Sequence, residues 1–154
     1  MRTRLVTAAC GIVLIGLAVA AAPYAQAPAG ELAVARTLSD PSLQWTACPP
    51  FLPVGCSLAV LHGDPAKPNA DIFLKLPGRS TIVEHTHTSA ERMVLVLGEL
   101  HVTYAGQPTS VLRPGTYAYG PAKVPHKGTC ASSTPCVLFI AFESPVDGAP
   151  TKTP

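Results

Sequence analysis

The sequence predicts an all-β protein, a sandwich or barrel of short strands. Turn residues recur about every 6 to 12 positions, and between them β-branched and aromatic residues alternate with polar ones. No stretch beyond the N-terminal segment carries a helical period. Composition agrees: 17 prolines and only 13% charged residues, with 47% hydrophobic ones, suit a turn-rich β protein that still has a core to bury. A length of 154 residues accommodates one domain.

The chain opens with a segment unlike the rest. Arg2 and Arg4 precede an apolar run from Ala8 to Ala22, and Ala25-Gln26-Ala27 has the small-x-small pattern of a signal-peptidase site. Residues 1–27 are therefore expected to be a secretory signal peptide and the mature protein to be exported, periplasmic or secreted. Pro28 disfavours cleavage directly after Ala27, so cuts after Ala22 or Ala29 stay open. The competing reading is a retained membrane anchor, but the run is short for a span of about 20 residues, and no stable span is expected after cleavage. Cys10 has no lipobox before it. Losing Arg2 and Arg4 reduces 11 basic residues to 9, against 9 acidic ones. In a near-neutral chain nothing suggests nucleic acid or an anionic membrane as a partner.

Residues 28–50 contain Pro28, Pro41, Pro49 and Pro50 with weak periodicity and are expected to form an arm or linker. The strands follow. SLAVLHGD runs into a Gly63-Asp64 turn, ADIFLKLPG stops at Pro77-Gly78, and RSTIVEHTH is the third. ERMVLVLGELHVTY is a hairpin turning at Gly98-Glu99, AGQPTSVLRPG supplies two turns, and TYAYGPA and CVLFIAFE complete the set. Residues 143–154, ESPVDGAPTKTP, offer little to bury and are expected to be a disordered tail.

Beyond the leader four cysteines remain: Cys48, Cys56, Cys130 and Cys136. An even count in an exported chain points to disulfides. Of three pairings, Cys48–Cys56 and Cys130–Cys136 are favoured, because each pair flanks a short proline-containing loop. A four-cysteine zinc site fits these spacings poorly.

Chemistry concentrates in EHTHTSAER. Residues two apart in a strand share a face, so His85 and His87 should point with Val83, while Glu84 and Thr86 point away. Glu91 opens the next strand on the face of Met93, Leu95 and Leu97, the core face. A carboxylate there needs a cation or several donors, and neutral imidazoles are natural co-ligands of a divalent metal. The alternative is an ordinary polar strand edge. A further imidazole, His126, follows Pro121-Ala122-Lys123-Val124-Pro125, where proline sits at a strand's first position without loss of a ladder bond. His85, His87, Glu91 and His126 are thus the candidate metal ligands. His62 and His101 each stand alone and are not. Tyr104, Tyr117 and Tyr119 can line a pocket, though core or rim packing is the simpler account.

These residues resemble the cupin family. Its first motif is approximately G-x5-H-x-H-x3,4-E-x6-G, and this chain has Gly78, His85, His87, Glu91 and Gly98, with one extra residue between Gly78 and His85. Its second is approximately G-x5-P-x-G-x2-H-x3-N, matched by Gly115, Pro121 and His126. Lys123 stands where glycine is usual and Cys130 where asparagine is usual. The resemblance covers residues 70 to about 142. It implies a jelly-roll β-barrel (a double-stranded β-helix) over residues 51–142, with a divalent transition metal, one of Mn, Fe, Ni, Cu or Zn, inside. It also implies a small-molecule ligand or substrate, and a homodimer is compatible with it. Fold and ligand set do not fix a reaction. Oxygenase- or isomerase-like catalysis and a non-catalytic binding or sensor module both remain open.

Overall fold

In the computed structural model, Gly30 and residues 32–151 are described. The expected signal peptide lies outside them. The chain divides into two units, residues 1–35 and 36–154. Of the first, Gly30 and residues 32–35 are described and carry no strand.

Among its described residues the second unit holds eleven strands: β1 (Trp45–Ala47), β2 (Ser57–His62), β3 (Ala70–Leu76), β4 (Thr81–Thr86), β5 (Glu91–Leu97), β6 (Leu100–Tyr104), β7 (Ser110–Leu112), β8 (Tyr117–Gly120), β9 (His126–Cys130), β10 (Cys136–Phe142) and β11 (Ala149–Pro150). They form two antiparallel sheets, β1-β2-β3-β10-β5-β8 and β11-β4-β9-β6-β7. This is the all-β jelly-roll arrangement expected.

Alternation builds the core between the sheets. Ile72, Leu76, Met93, Leu95, Leu138 and Ile140 come from the six-stranded sheet, and Ile82, Leu100, Val102 and Leu112 from the five-stranded one. Full burial of each large aliphatic chain contributes about 1.5–3 kcal/mol. Gly98 turns β5 into β6 at φ 88°, and a Cβ there would stand 2.7 Å from the carbonyl of Pro135. Both the left-handed backbone and the close approach require glycine.

Two expectations about strand faces are corrected. Val83 is 48% exposed while Ile82 is buried. The cause is a bulge: Ile82 pairs with Gly128 and His85 with His126, so three steps on β4 oppose two on β9. The extra residue lets Ile82 and His85 both face inward although an odd number of positions separates them. Leu97 is likewise 41% exposed. Leu95 and Leu97 face two consecutive residues of β10, Leu138 and Val137, which carries Leu97 off the core face.

The segments on either side of the barrel also differ from expectation. Within the expected arm, β1 pairs with β2. Leu38, Leu43 and Trp45 pack with Ala59, Phe73 and Val137 on the outer face of the six-stranded sheet. Apolar side chains spaced along a proline-rich segment cover a sheet face without needing helical or strand periodicity. Residues 143–151 of the expected disordered tail are tied down instead. The Ser144 N–H donates to Ser89 Oγ, Val146 N–H to the Pro65 carbonyl and Thr151 N–H to the Glu84 carbonyl, and β11 pairs with β4. Backbone hydrogen bonds hold this segment, and these leave no hydrophobic pattern to read.

The cysteines pair as Cys48–Cys56 and Cys130–Cys136. The second bridge joins the end of β9 to the start of β10, across the two sheets.

Candidate metal centre

Three strands set the site's geometry. His85 on β4 pairs with His126 on β9, and His126 pairs with Tyr104 on β6. The three rings form a row on the inner face of the five-stranded sheet. His85 and His126 have centroids 4.2 Å apart, and Tyr104 stacks on His126 at 4.8 Å with 27° between planes. His87 lies just past β4 and reaches the same point, its ring 4.8 Å from that of His85. Glu91 enters from the opposite sheet, where it pairs with Phe142 and Gly120.

The ligating atoms converge. One ring nitrogen from each of His85, His87 and His126 lies within 4.8 Å of the others. Glu91 Oε1 is 3.3 Å from His87 Nε2, and Oε2 is 3.6 Å from His126 Nε2. His85, His87 and His126 therefore meet, and Glu91 reaches His87 and His126. His101 does not: it sits on the solvent side of β6 with Nε2 2.8 Å from Glu99 Oε1. His62, at the exposed end of β2, is not among the cavity residues.

Each histidine is oriented from outside the cluster. His85 Nδ1 is 2.9 Å from the carbonyl of Val83, His126 Nδ1 is 3.1 Å from that of Val124, and His87 Nδ1 bonds the carbonyl of Asp147. A carbonyl only accepts, so Nδ1 carries the proton in each neutral ring and Nε2 presents a lone pair inward. Burial disfavours the charged forms of His85 and His126. It pushes His126 down to about 4, with His85 adding to the effect, and lowers His85 as well. Burial raises Glu91 above the usual carboxylate range, against the pull of His87. Three inward lone pairs and a buried carboxylate lack a positive charge among them. The donor set fits a divalent cation.

Lys123 explains one departure from the expected motif. Its φ is 64°, the left-handed conformation glycine adopts freely. Its N–H donates to the carbonyl of His87 at 2.8 Å, joining the two ligand-bearing segments. The turn persists although lysine occupies it. Cys130, at the asparagine position, is taken by its disulfide.

Two contributors were not legible as site residues. Asp147 orients His87 through its backbone, and its carboxylate receives the Thr88 N–H at 2.9 Å and the Thr88 hydroxyl at 2.5 Å. Of the three tyrosines that could line a pocket, Tyr104 is buried while Tyr117 and Tyr119 are 58% and 50% exposed. Its partner-strand position opposite His126 is a matter of register. The Tyr104 hydroxyl is buried without a hydrogen-bond partner among the described residues. A cavity of about 330 Å³ opens from the cluster. Its walls include Phe51, Leu58, Ile72, Met93, Val102 and Ile140.

A jelly-roll barrel with a histidine cluster at one pole of an apolar interior defines the class: a small barrel built around a candidate metal site. Residues 73–142 match the family model for the cupin domain. A comparison with curated protein sequences finds no match. Similar solved structures include a DMSP lyase from Ruegeria pomeroyi DSS-3, at TM-score 0.60 and 19% identity, covering 71% of this chain and 61% of that one. A second structure of DMSP lyases has TM-score 0.62 at 16% identity over 71% and 63%. This chain thus spans about six-tenths of the length of both. An RmlC-like cupin from Shewanella frigidimarina has TM-score 0.54 and 20% identity, covering 68% of this chain and 86% of that one. At these identities the likeness establishes the fold.

Proposed function

We propose that His85, His87, Glu91 and His126 together hold a divalent transition metal, and that the protein binds or transforms a small organic molecule there. The observation that carries this is the pinning of all three Nδ1 atoms on carbonyls, which turns three lone pairs toward one point, with the Glu91 carboxylate beside two of them. Imidazole and carboxylate together suit Mn, Fe, Ni, Cu or Zn. A metal so held supplies Lewis acidity toward an oxygen of the bound molecule. The protein's own part is to orient the imidazoles, keep water out with apolar walls, and offer the cavity. Similar structures that are lyases, and one of an oxalate oxidase in complex with glycolate, support an enzymatic reading, with oxygenase- or isomerase-like chemistry among its forms.

One observation favours a non-catalytic module instead. Away from the cluster the cavity walls are largely apolar, with Tyr104 the nearest hydroxyl, so acid–base groups for turnover are few. The two disulfides, together with the Arg-flanked apolar leader, support export to an oxidising compartment. No helix among the described residues is long and apolar enough to cross a membrane.

Elemental analysis of protein purified from its native compartment tests the reading. About one equivalent of a transition metal per chain is expected, lost in His126→Ala and Glu91→Ala. Full metal content in both variants would place the ion elsewhere.

A further inference from the structure

The cavity meets solvent where three connections come together. Among its lining residues Pro49, Pro65 and Asp147 are exposed, and they lie between β1 and β2, between β2 and β3, and between β10 and β11. Lys127, also exposed, alternates to the outside of β9. The three connections touch. Val146 N–H donates to the Pro65 carbonyl at 2.8 Å. Gly148 lies between two rings: a Cβ there would stand 2.9 Å from Phe51 Cζ and 3.3 Å from His87 Cε1. The Phe51 ring is also 5.6 Å from that of His85. Phe51 is half-buried, so it has imidazoles on one side and solvent on the other.

We infer that residues 49–55 are a flap hinged at the Cys48–Cys56 disulfide, and that molecules reach the imidazole cluster by displacing Phe51 from its seat against Gly148 and His85. Attachment argues for which segment moves. The flap's backbone hydrogen bonds close within it or at its base: Leu52 N–H to the Pro49 carbonyl, Cys56 N–H to that of Pro53, and Cys48 N–H to that of Cys56. Apolar contacts of Phe51 and Leu52 seat it on the barrel. The C-terminal segment facing it is held instead by main-chain bonds to Pro65 and Glu84 and by the Ser89 hydroxyl. Local opening is easiest where the fewest bonds must break, so the flap opens before the C-terminal segment does. Composition argues for how it moves. Three of its seven residues are proline, whose fixed φ stiffens a short segment, and the disulfide holds its two ends together. The motion is then a swing of the whole flap about its base. The inference concerns access to the imidazoles and does not depend on the metal-binding reading.

The test is labelling of the full, metal-free chain with diethyl pyrocarbonate at about pH 8, above the ordinary imidazole pKa of about 6.5. The reagent acylates a neutral imidazole at its free nitrogen, and in His85 and His126 that atom is the inward Nε2. Peptide mass mapping reads each histidine, with His101 on the solvent side of β6 as the reference. Phe51→Ala should label His85 and His126 about tenfold faster than wild type, the factor expected when a half-buried aromatic anchor is lost from a local opening equilibrium. The paired Cys48→Ser and Cys56→Ser variant should accelerate labelling at least as much, because the hinge loses its constraint. Val54→Ser, at the 99% exposed tip of the flap, should leave the rate unchanged. Hydrogen exchange of the β5 and β10 amides should be unaltered in Phe51→Ala. Labelling that stays at the wild-type rate in Phe51→Ala or in the cysteine pair overturns the inference. So does a Val54→Ser effect as large as that of Phe51→Ala, or exchange in β5 and β10 that quickens by the same factor, since the whole barrel then opens. Titration with zinc alone tests the metal reading separately: its failure overturns the metal centre, and the labelling rates still decide the flap.

Discussion

The Nδ1 of His87 donates to the backbone carbonyl of Asp147, a residue 60 positions further along the chain. His85 and His126 find their Nδ1 acceptors two residues back in their own segments, at Val83 and Val124. One imidazole of the cluster therefore depends on the C-terminal segment, which is held by Ser89, Pro65, Thr88 and Glu84. Outer partners of this kind fix the tautomer and the ring direction of a ligating histidine.

Truncation after Pro145 removes the His87 acceptor and β11 but leaves the pairing of the other ten strands untouched. Metal affinity should fall about 10- to 100-fold, the usual cost of losing an outer partner, while the circular dichroism of the barrel stays the same. Competition with a chelator of known affinity measures it. Unchanged affinity would mean that His87 orients itself.

Metal content separates ligands from bystanders. His126→Ala and Glu91→Ala should lose metal by more than the truncation does. His101→Ala should keep it, because that imidazole faces Glu99 on the outside of β6. Loss in His101→Ala with retention in the other two would refute the site.

Lys123 holds φ 64°, which disfavours a side chain by about 1–2 kcal/mol, partly offset by the greater unfolded-state freedom of glycine. Lys123→Gly should stabilise the protein by about 0.5–1 kcal/mol in urea denaturation, with the His87 contact intact. Destabilisation would show that the lysine side chain makes a contribution beyond its backbone.

Acid should weaken the metal-free protein through His126. Its folded pKa is about 4, below the ordinary 6.5. Between these values the unfolded chain binds the proton and the folded chain does not, so stability rises with pH across that window. It is lost as pH falls from 6.5 toward 4, at up to about 1.4 kcal/mol per pH unit for one proton. His85, lowered by burial, acts in the same direction. Glu91, raised by burial, acts in the opposite one, favouring the folded state at low pH. Urea midpoints at pH 5 and 7 should differ more in wild type than in His126→Gln. Equal differences would remove His126 as a cause.

Gly120→Ala tests the tightness of the pole. The added methyl would meet the Tyr104 hydroxyl at 2.5 Å and Glu91 Oε2 at 3.1 Å. Tyr104 is a rigid ring packed against His126, so displacement is costly: about 1–3 kcal/mol of stability, with weaker metal binding. A neutral substitution would show that the ring has room to move.

The sequence by itself determined the fold class, seven of the strands along the chain, the disulfide pairing and the polar residues worth watching, though β5 and β6, expected as a hairpin, pair in different sheets. Those are local matters: alternation, turn chemistry, and the two short motifs around His85 and His126. It also placed Glu91 correctly on the core face of β5, because that strand alternates without interruption from Glu91 to Leu95. Only the tertiary structure decided which face Val83 takes, since the bulge opposite β9 arises from pairing and leaves no mark on β4 alone. The same holds for Tyr104, which joins the site because register sets it beside His126, and for Asp147, whose contribution is a backbone carbonyl. Register and main-chain hydrogen bonds are relations between distant segments. They are selected by the packing of both sheets together, and side-chain identity along one strand carries little trace of them.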